Sequence, residues 1–370
     1  MPARKSPKIP VENRLARQVL VESLRVRRGE NVAIETWSHT LPYATAFVYE
    51  ARKIGARPIL LLEDEETYWK SVEDLPAKTL GEVGNHEWGL LSKTNAYVFF
   101  MGPADRSRLR SLGGKAFEAL TAYNHEWYER AKKARLRGAR VYLSMATDAA
   151  ARRFKVDGKA WRKELLEASL VDTADMVREG RKVAQALRRG KRITLEHANG
   201  THLELRLKGR TPEVQDGVVD PEDVAAGRNM IPIPSGVVGV AVDESFAEGT
   251  VVANRTSFLQ SERAEGGKWT FRDGRLVEYS YRKGGDAFEV PYKAAPKGRD
   301  LPAFLSVGLN PRLSQTPQME DQERGVVGVA VGGNKFQGGS NDCPFLSWLA
   351  VGGCDLKIDG RTLLRKGSLV

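Results

Sequence analysis

The sequence holds five histidines, at positions 39, 86, 125, 197 and 202, and two cysteines, at 343 and 354. Imidazole and thiolate are the side chains that best hold zinc, and imidazole is the commonest general base near neutral pH. All five histidines precede residue 203, so a histidine-built metal centre is not expected in the second half of the chain. The cysteine spacing fits no zinc motif, and two thiols make no disulfide framework. If 345–351 is a strand and Gly352-Gly353 a turn, Cys343 and Cys354 fall at opposite ends of it and should not bond. Asn85-His86-Glu87-Trp88 and Asn124-His125-Glu126-Trp127 repeat one tetrapeptide. A His-Glu pair has the types for acid–base work. The expected reading is local instead: Asn capping a helix, an acid in its first turn and Trp on the packing face.

Three further groups have suitable types. Asp243, Glu244, Asp342, Cys343, Cys354 and Asp355 cluster in sequence but read as strand-end carboxylates and buried thiols. Asn334 and Lys335 stand in a glycine-rich loop with Gly332, Gly333, Gly338 and Gly339. That loop is a possible anion site through backbone N–H groups and Lys335, although it lacks phosphate-loop spacing. Ser38 and His39 follow the first strand at its carboxyl end, where open α/β sheets bind ligands. A capping serine and a surface histidine are the expectation.

The elements that must position these groups change type along the chain. In the first half, helical spacing over 11–25 puts Leu15, Val19, Leu20 and Leu24 on one face. Strands are expected at 31–36, 58–62, 96–101 and 140–145, with a helix over 43–54 ending at Gly55. Alternating strands and helices predict an N-terminal, mostly parallel three-layer α/β domain. After a helix over 172–187 come hairpins around Asn199-Gly200, Asp273-Gly274 and Asp359-Gly360. The second half is therefore an expected β-rich α+β domain. The boundaries expected are a disordered basic arm over 1–10, the α/β domain over 11–170 and the β-rich domain over 171–370. The string GVVGVAV occurs at 236–242 and again at 325–331. Gly239 and Gly328 leave the centres of those two strands bare, a sign of close backbone approach.

Composition narrows the class. With 370 residues and 41% apolar content, the chain can build two cores. No apolar run is long enough for a membrane span, and the start has no secretory h-region. A cytoplasmic protein without a membrane partner is expected. The net charge of +11 is concentrated in helix-like stretches near 130–140 and 178–192. They read as arginine-rich solvated faces, a thermophile-like surface, with a polyanion or nucleic-acid patch as the alternative.

Several strings in order are similar to one family: 32–64 ending in GARPILLLED, 190–210 (GKRITLEHANGTHLELRLKGR), 233–252, Val307-Gly308-Leu309-Asn310-Pro311, and 325–339. The chain resembles the thermophilic metallo-aminopeptidases, also called the leucyl aminopeptidase family of thermophiles. The dihydroxypyridine ring-opening dioxygenases share that fold. The resemblance implies a homodimer and a pair of metal ions in the C-terminal domain, lowering the pKa of bound water and polarising a peptide carbonyl. Its metal ligands are an acid after a glycine, an acid before a GxGTNP-like string, a histidine opening HIALG, and an HxD pair. Carried over position by position, these fall on Val237, Phe304, Gly328, Leu346 and Trp348. A tyrosine ligand falls near Lys335, beside a length difference. None of the five has a metal-binding side chain.

No metal, no cofactor and no catalytic residue are therefore expected. The reading is a pseudoenzyme, a catalytically degenerate family member that binds or scaffolds a peptide, protein or polyanion. The alternatives are an active hydrolase with a non-standard metal site and a basic nucleic-acid-associated protein. If the former site has become core, the five positions should meet within about 10 Å, the reach of neighbours of neighbours in a packed interior.

Overall fold

The computed structural model describes residues 9–106, 108, 114–259 and 262–370. The basic arm expected over 1–10 lies outside them, apart from Ile9 and Pro10. The chain divides into two compact units, one of residues up to Ala150 with Gly217–Pro234, the other of Ala151–Asp216 with Ser235–Val370. The sequence predicts a single crossing near residue 170. Three occur instead, because Met230–Ile233 returns to complete the first unit's sheet. This short strand carries a proline and is followed by another, so it reads as a loop in sequence.

The first unit is built on a parallel sheet in the order Arg57–Glu63, Asn31–Trp37, Ala96–Phe100, Arg137–Val141, Met230–Ile233. One face is mostly apolar: Ile34, Val98, Phe100, Ala139 and Val141 are all buried. The helix Leu41–Ile54 covers that side, with Phe47 edge-on to Phe100 at 5.4 Å. Its C-cap is Gly55 at φ +82°, a left-handed position that glycine adopts without strain. The expected 11–25 helix is α-helical over Val11–Arg17 and then widens to a π turn over Gln18–Ser23, which keeps Leu15, Val19, Leu20 and Leu24 fully buried. The strand expected at 140–145 is shifted to Arg137–Val141, and Tyr142–Met145 is a 3₁₀ turn. Both neighbouring strands end level with Val141, so no ladder partner remains beyond it.

The repeated tetrapeptides do not cap helices as expected. Gly84 is the N-cap of Asn85–Lys93, without a side-chain cap, and Asn124 lies inside the helix Gly114–Lys133. Tertiary packing sets their roles. Trp127 is buried edge-on to Tyr97 at 4.9 Å, and Arg130 lies 4.1 Å above the Trp88 ring.

The second unit contains an eight-stranded antiparallel sheet and a five-stranded one, which share one core. The helix Thr173–Arg189 packs on it through Met176, Val183 and Leu187, and Asp172 accepts from the Ala174 N–H at 2.9 Å as its N-cap. Two expected hairpin turns have both central residues left-handed, Asp273-Gly274 at φ 50° and 72° and Asp359-Gly360 at 50° and 78°. That is the turn whose twist matches a two-residue hairpin. The Asn199-Gly200 turn needs only Gly200, at φ 98°. Both cysteines are free and buried, and burial pushes the Cys354 thiol up to about 12. Such a thiol is inert at neutral pH.

Candidate functional site

The five-stranded sheet runs Leu346–Val351, Val327–Gly332, Pro302–Gly308, Val237–Ala241, Glu213–Gln215. It holds all five positions carried over as former metal ligands. The two GVVGVAV strings become the strands flanking Pro302–Gly308, and Gly239 and Gly328 both pair with Ser306. Side chains alternate faces along a strand. Val238, Val240, Leu305, Val307, Val329, Leu349 and Val351 point into the unit's core. Val237, Phe304, Gly328, Leu346 and Trp348 belong to the opposite face.

On that face Phe304, with Ala303 and Ala330, forms a small apolar cluster against which Leu346 and Trp348 pack. Three of the five positions therefore meet, and the convergence within about 10 Å expected of all five is not found. Val237 does not meet them: it pairs with Gly308, four residues beyond Phe304, or about 13 Å along the strand at ~3.3 Å per residue. Gly328 lies under a different neighbourhood. A Cβ built on it would stand 2.2 Å from Ser306 Oγ and 3.1 Å from Asp321 Cβ.

What fills that neighbourhood escaped the sequence reading. The loop after Pro311 folds back so that backbone oxygens of Asp321 and Glu323 press on Gly308. Ser306 Oγ donates to Asp321 Oδ2 at 2.8 Å. Glu323 takes Arg255 through both oxygens at 2.8 and 2.9 Å. Glu320 is fully buried; its Oε1 accepts from the Phe258 N–H at 3.3 Å and its Oε2 has no hydrogen-bond partner. The acidic run from Glu320 to Glu323, just before the second GVVGVAV string, was the available signal.

Burial, reinforced by the charge of Asp321, pushes the Glu320 carboxyl up to about 8. Burial also raises Asp321, against the Ser306 hydrogen bond. Glu320 thus enters the fold protonated at neutral pH, while the unfolded chain would ionise it near 4.5. Stability should fall as pH rises from about 4.5 to about 8 through this group and level off above it. Glu320→Gln should remove that slope, raising the melting temperature at about pH 9 and changing little at about pH 5. Parallel melting curves for variant and wild type across this range would exclude Glu320 as the source.

The other groups singled out in sequence have structural partners. Glu244 lies 2.7 Å from Arg210 through each oxygen and also accepts from Ser340 N–H, Ser340 Oγ and Asn334 Nδ2. Asn334 is fully buried, and its Oδ1 accepts from the Asn341 N–H. Lys335 pairs with Asp342 at 2.6 Å. The loop at Asn334 and Lys335, the alternative anion site, has its amide turned inward and its charge answered within the loop. Ser38 donates to Asp64 at 3.0 Å and His39 Nε2 lies 3.1 Å from the Ser144 carbonyl. Asp355 caps the Lys366 N–H at 2.6 Å.

The thermophilic metalloprotease (M29) family matches residues 12–291. The chain belongs to this family. Two solved structures share its fold. The wild-type AmpT of Thermus thermophilus superposes with a TM-score of 0.70 at 17% identity, over 97% of this chain and 99% of its own. The 2,5-dihydroxypyridine dioxygenase of Pseudomonas putida KT2440 superposes with a TM-score of 0.65 at 15% identity, over 98% of both chains. No curated protein matches the sequence. The family match ends at residue 291, before the strands that carry Phe304, Gly328, Leu346 and Trp348.

A metal pair needs carboxylates and imidazoles converging at about 2 Å from each ion. The residues at the five positions do not fit one. Among the described residues no group of three or more His, Cys, Asp and Glu is placed to hold a metal ion. Asp321 and Glu323 are turned to Ser306 and Arg255, as above. Among the described residues no helix is long and apolar enough to cross a membrane.

Proposed function

We propose that this chain is a metalloprotease-family fold that no longer catalyses peptide hydrolysis and instead binds a peptide, protein or polyanion. The observation that carries the reading is steric. At the position where the family's histidine would stand, a Cβ on Gly328 would lie 2.2 Å from Ser306 Oγ, so a side chain fits only if that hydroxyl turns away from Asp321. The apolar cluster of Phe304, Leu346 and Trp348 supports it from the other side of the same sheet face. A homodimer and a cytoplasmic location belong to the same proposal, the first through the family resemblance. The net charge of +11 keeps a polyanion among the partners, although several helix arginines and lysines already face acids one turn away, such as Arg130 with Glu126 and Lys132 with Glu129.

The deciding experiment is elemental analysis of the purified protein together with leucine release from a chromogenic leucine amide. The expected result is no stoichiometric transition metal and no release above buffer, with or without added zinc or cobalt. Chelator-sensitive release, or about one metal ion or more per chain, would restore an active hydrolase with a non-standard site. Retention on a polyanion column that falls steeply with salt would select the polyanion among the possible partners.

A further inference from the structure

The first unit contains a cavity lined by its own residues alone. It has about 50 Å³ of space open to water centres, room for roughly four waters at ~10–15 Å³ each. Glu35, Tyr97, Phe99, Tyr123, Trp127 and Tyr128 line it. The wall is five aromatic rings with Asn124 and Met230, and the charge-bearing group is one carboxyl.

The cavity lies on the sheet face under the helix Gly114–Lys133, reaching from Glu35 and Phe99 to Tyr97 and Met230, the first residue of its strand. The chain runs from Asn31–Trp37 to Arg57–Glu63 on one side, then crosses to Ala96–Phe100 on the other. The order of the sheet therefore reverses between the Asn31–Trp37 and Ala96–Phe100 strands. Open parallel α/β sheets bind ligands at such a switch point, outside the carboxyl ends of the strands. Glu35 and Phe99 are paired across that junction, near the carboxyl ends of both strands. The helix Gly114–Lys133 roofs the cavity through Tyr123, Trp127 and Tyr128.

The chemistry selects the ligand's charge. Aromatic faces attract cations, and most strongly where water is excluded. Tyr97 donates its hydroxyl to Glu35, and Tyr123 donates to Glu87 at 2.7 Å. Each phenolic oxygen keeps lone pairs that can accept from an incoming N–H. Burial first, then the charges of Glu63 and Glu87, lift the Glu35 carboxyl to about 7, and no cation is among the groups acting on it. Glu63 is raised by burial and by Glu87. Three carboxyl groups thus oppose one another around an aromatic box, without a lysine or arginine partner among the described residues.

We propose that this cavity binds a small organic cation, an alkylammonium head group, with Glu35 as its counter-ion and the aromatic rings as its walls. Binding favours the ionised form of Glu35, so at a pH of about 7 it releases part of a proton to solvent.

The test is isothermal titration of the full chain with n-propylammonium chloride and with its neutral isostere n-propanol, using sodium chloride as the ionic-strength control. Titrations in buffers of different ionisation enthalpy count the proton. The ammonium should bind at least about tenfold more tightly than the alcohol, with proton release at about pH 7. Glu35→Gln should abolish that release and cost about tenfold in ammonium affinity without changing the alcohol. Phe99→Leu should weaken the ammonium alone, and it serves if the Gln variant melts early. Equal affinity for the two probes, affinity unmoved by Glu35→Gln and Phe99→Leu, or no binding of the ammonium up to about 50 mM would each overturn the proposal.

Discussion

Gly328→His should cost the second unit about 3 kcal/mol or more of stability and should restore no metal binding. A buried strand position tolerates added bulk poorly, and overpacking by even one side chain typically costs about 1–3 kcal/mol. Here the new Cβ alone would sit 2.2 Å from Ser306 Oγ, before any imidazole is placed. Ser306 could yield only by releasing Asp321, whose carboxyl it holds at 2.8 Å. The smaller change Gly328→Ala should show the same defect in weaker form, and Ser306→Gly in the same chain should relieve it. Such relief would appear as a favourable coupling energy in a double-mutant cycle. A Gly328→His protein that melts like wild type, or that gains a zinc ion, would refute the reading that Ser306 and Asp321 have taken over the histidine's space.

Glu244→Ala should destabilise the second unit by about 3–5 kcal/mol, the usual loss when one partner of a buried ion pair is removed. The change strands Arg210, whose Nη2 lies 2.7 Å from both Glu244 oxygens, and leaves one Asn334 Nδ2 hydrogen and the Ser340 N–H without an acceptor, the other Nδ2 hydrogen keeping the Ala303 carbonyl. Asn334 is fully buried, so its amide cannot turn to water. The same network sets a pH signature. Burial alone would raise Glu244, but the hydrogen bonds from Arg210, Ser340 and Asn334 more than reverse that and hold it at about 2. The folded carboxyl is thus more acidic than its ordinary 4.5, and the stability it confers is complete above that value and lost as pH falls towards about 2. Glu244→Gln should lower the melting temperature at neutral pH and flatten this acid limb. An unchanged acid limb would assign the acid sensitivity to other groups.

Glu244 and Glu320 lie in the same unit and run in opposite directions. One supplies stability that acid removes; the other imposes a cost that appears as pH rises. Stability of this unit should therefore peak in mildly acidic solution, where Glu244 is already ionised and Glu320 still holds its proton.

Much of this molecule is legible along the chain. Periodicity gives three of the first unit's five parallel strands, Asn31–Trp37, Arg57–Glu63 and Ala96–Phe100, through their apolar runs. The Asp-Gly turns give two hairpins, because both residues adopt the left-handed conformation such turns need. The count of histidines, and the apolar residues at Phe304, Leu346 and Trp348, follow from letters alone. These features depend on local conformation or on composition, and neither requires knowing what lies across the fold.

Tertiary structure decided the rest. The two GVVGVAV strings carry no sign that they flank one strand, or that their bare glycines pair with a single serine. Nor does the acidic run from Glu320 announce a buried, protonated carboxyl, since acidic runs ordinarily lie in water. The tetrapeptide echo looked like two helix caps and became a packing contact beside a cavity, because Tyr97 arrives from a distant strand to meet Trp127. Met230–Ile233 joined a sheet made almost entirely by the first half of the chain. In each case the partner is remote in sequence. Residue types set what each group can do, and long-range packing sets which groups meet, how deeply they are buried and what charge they carry.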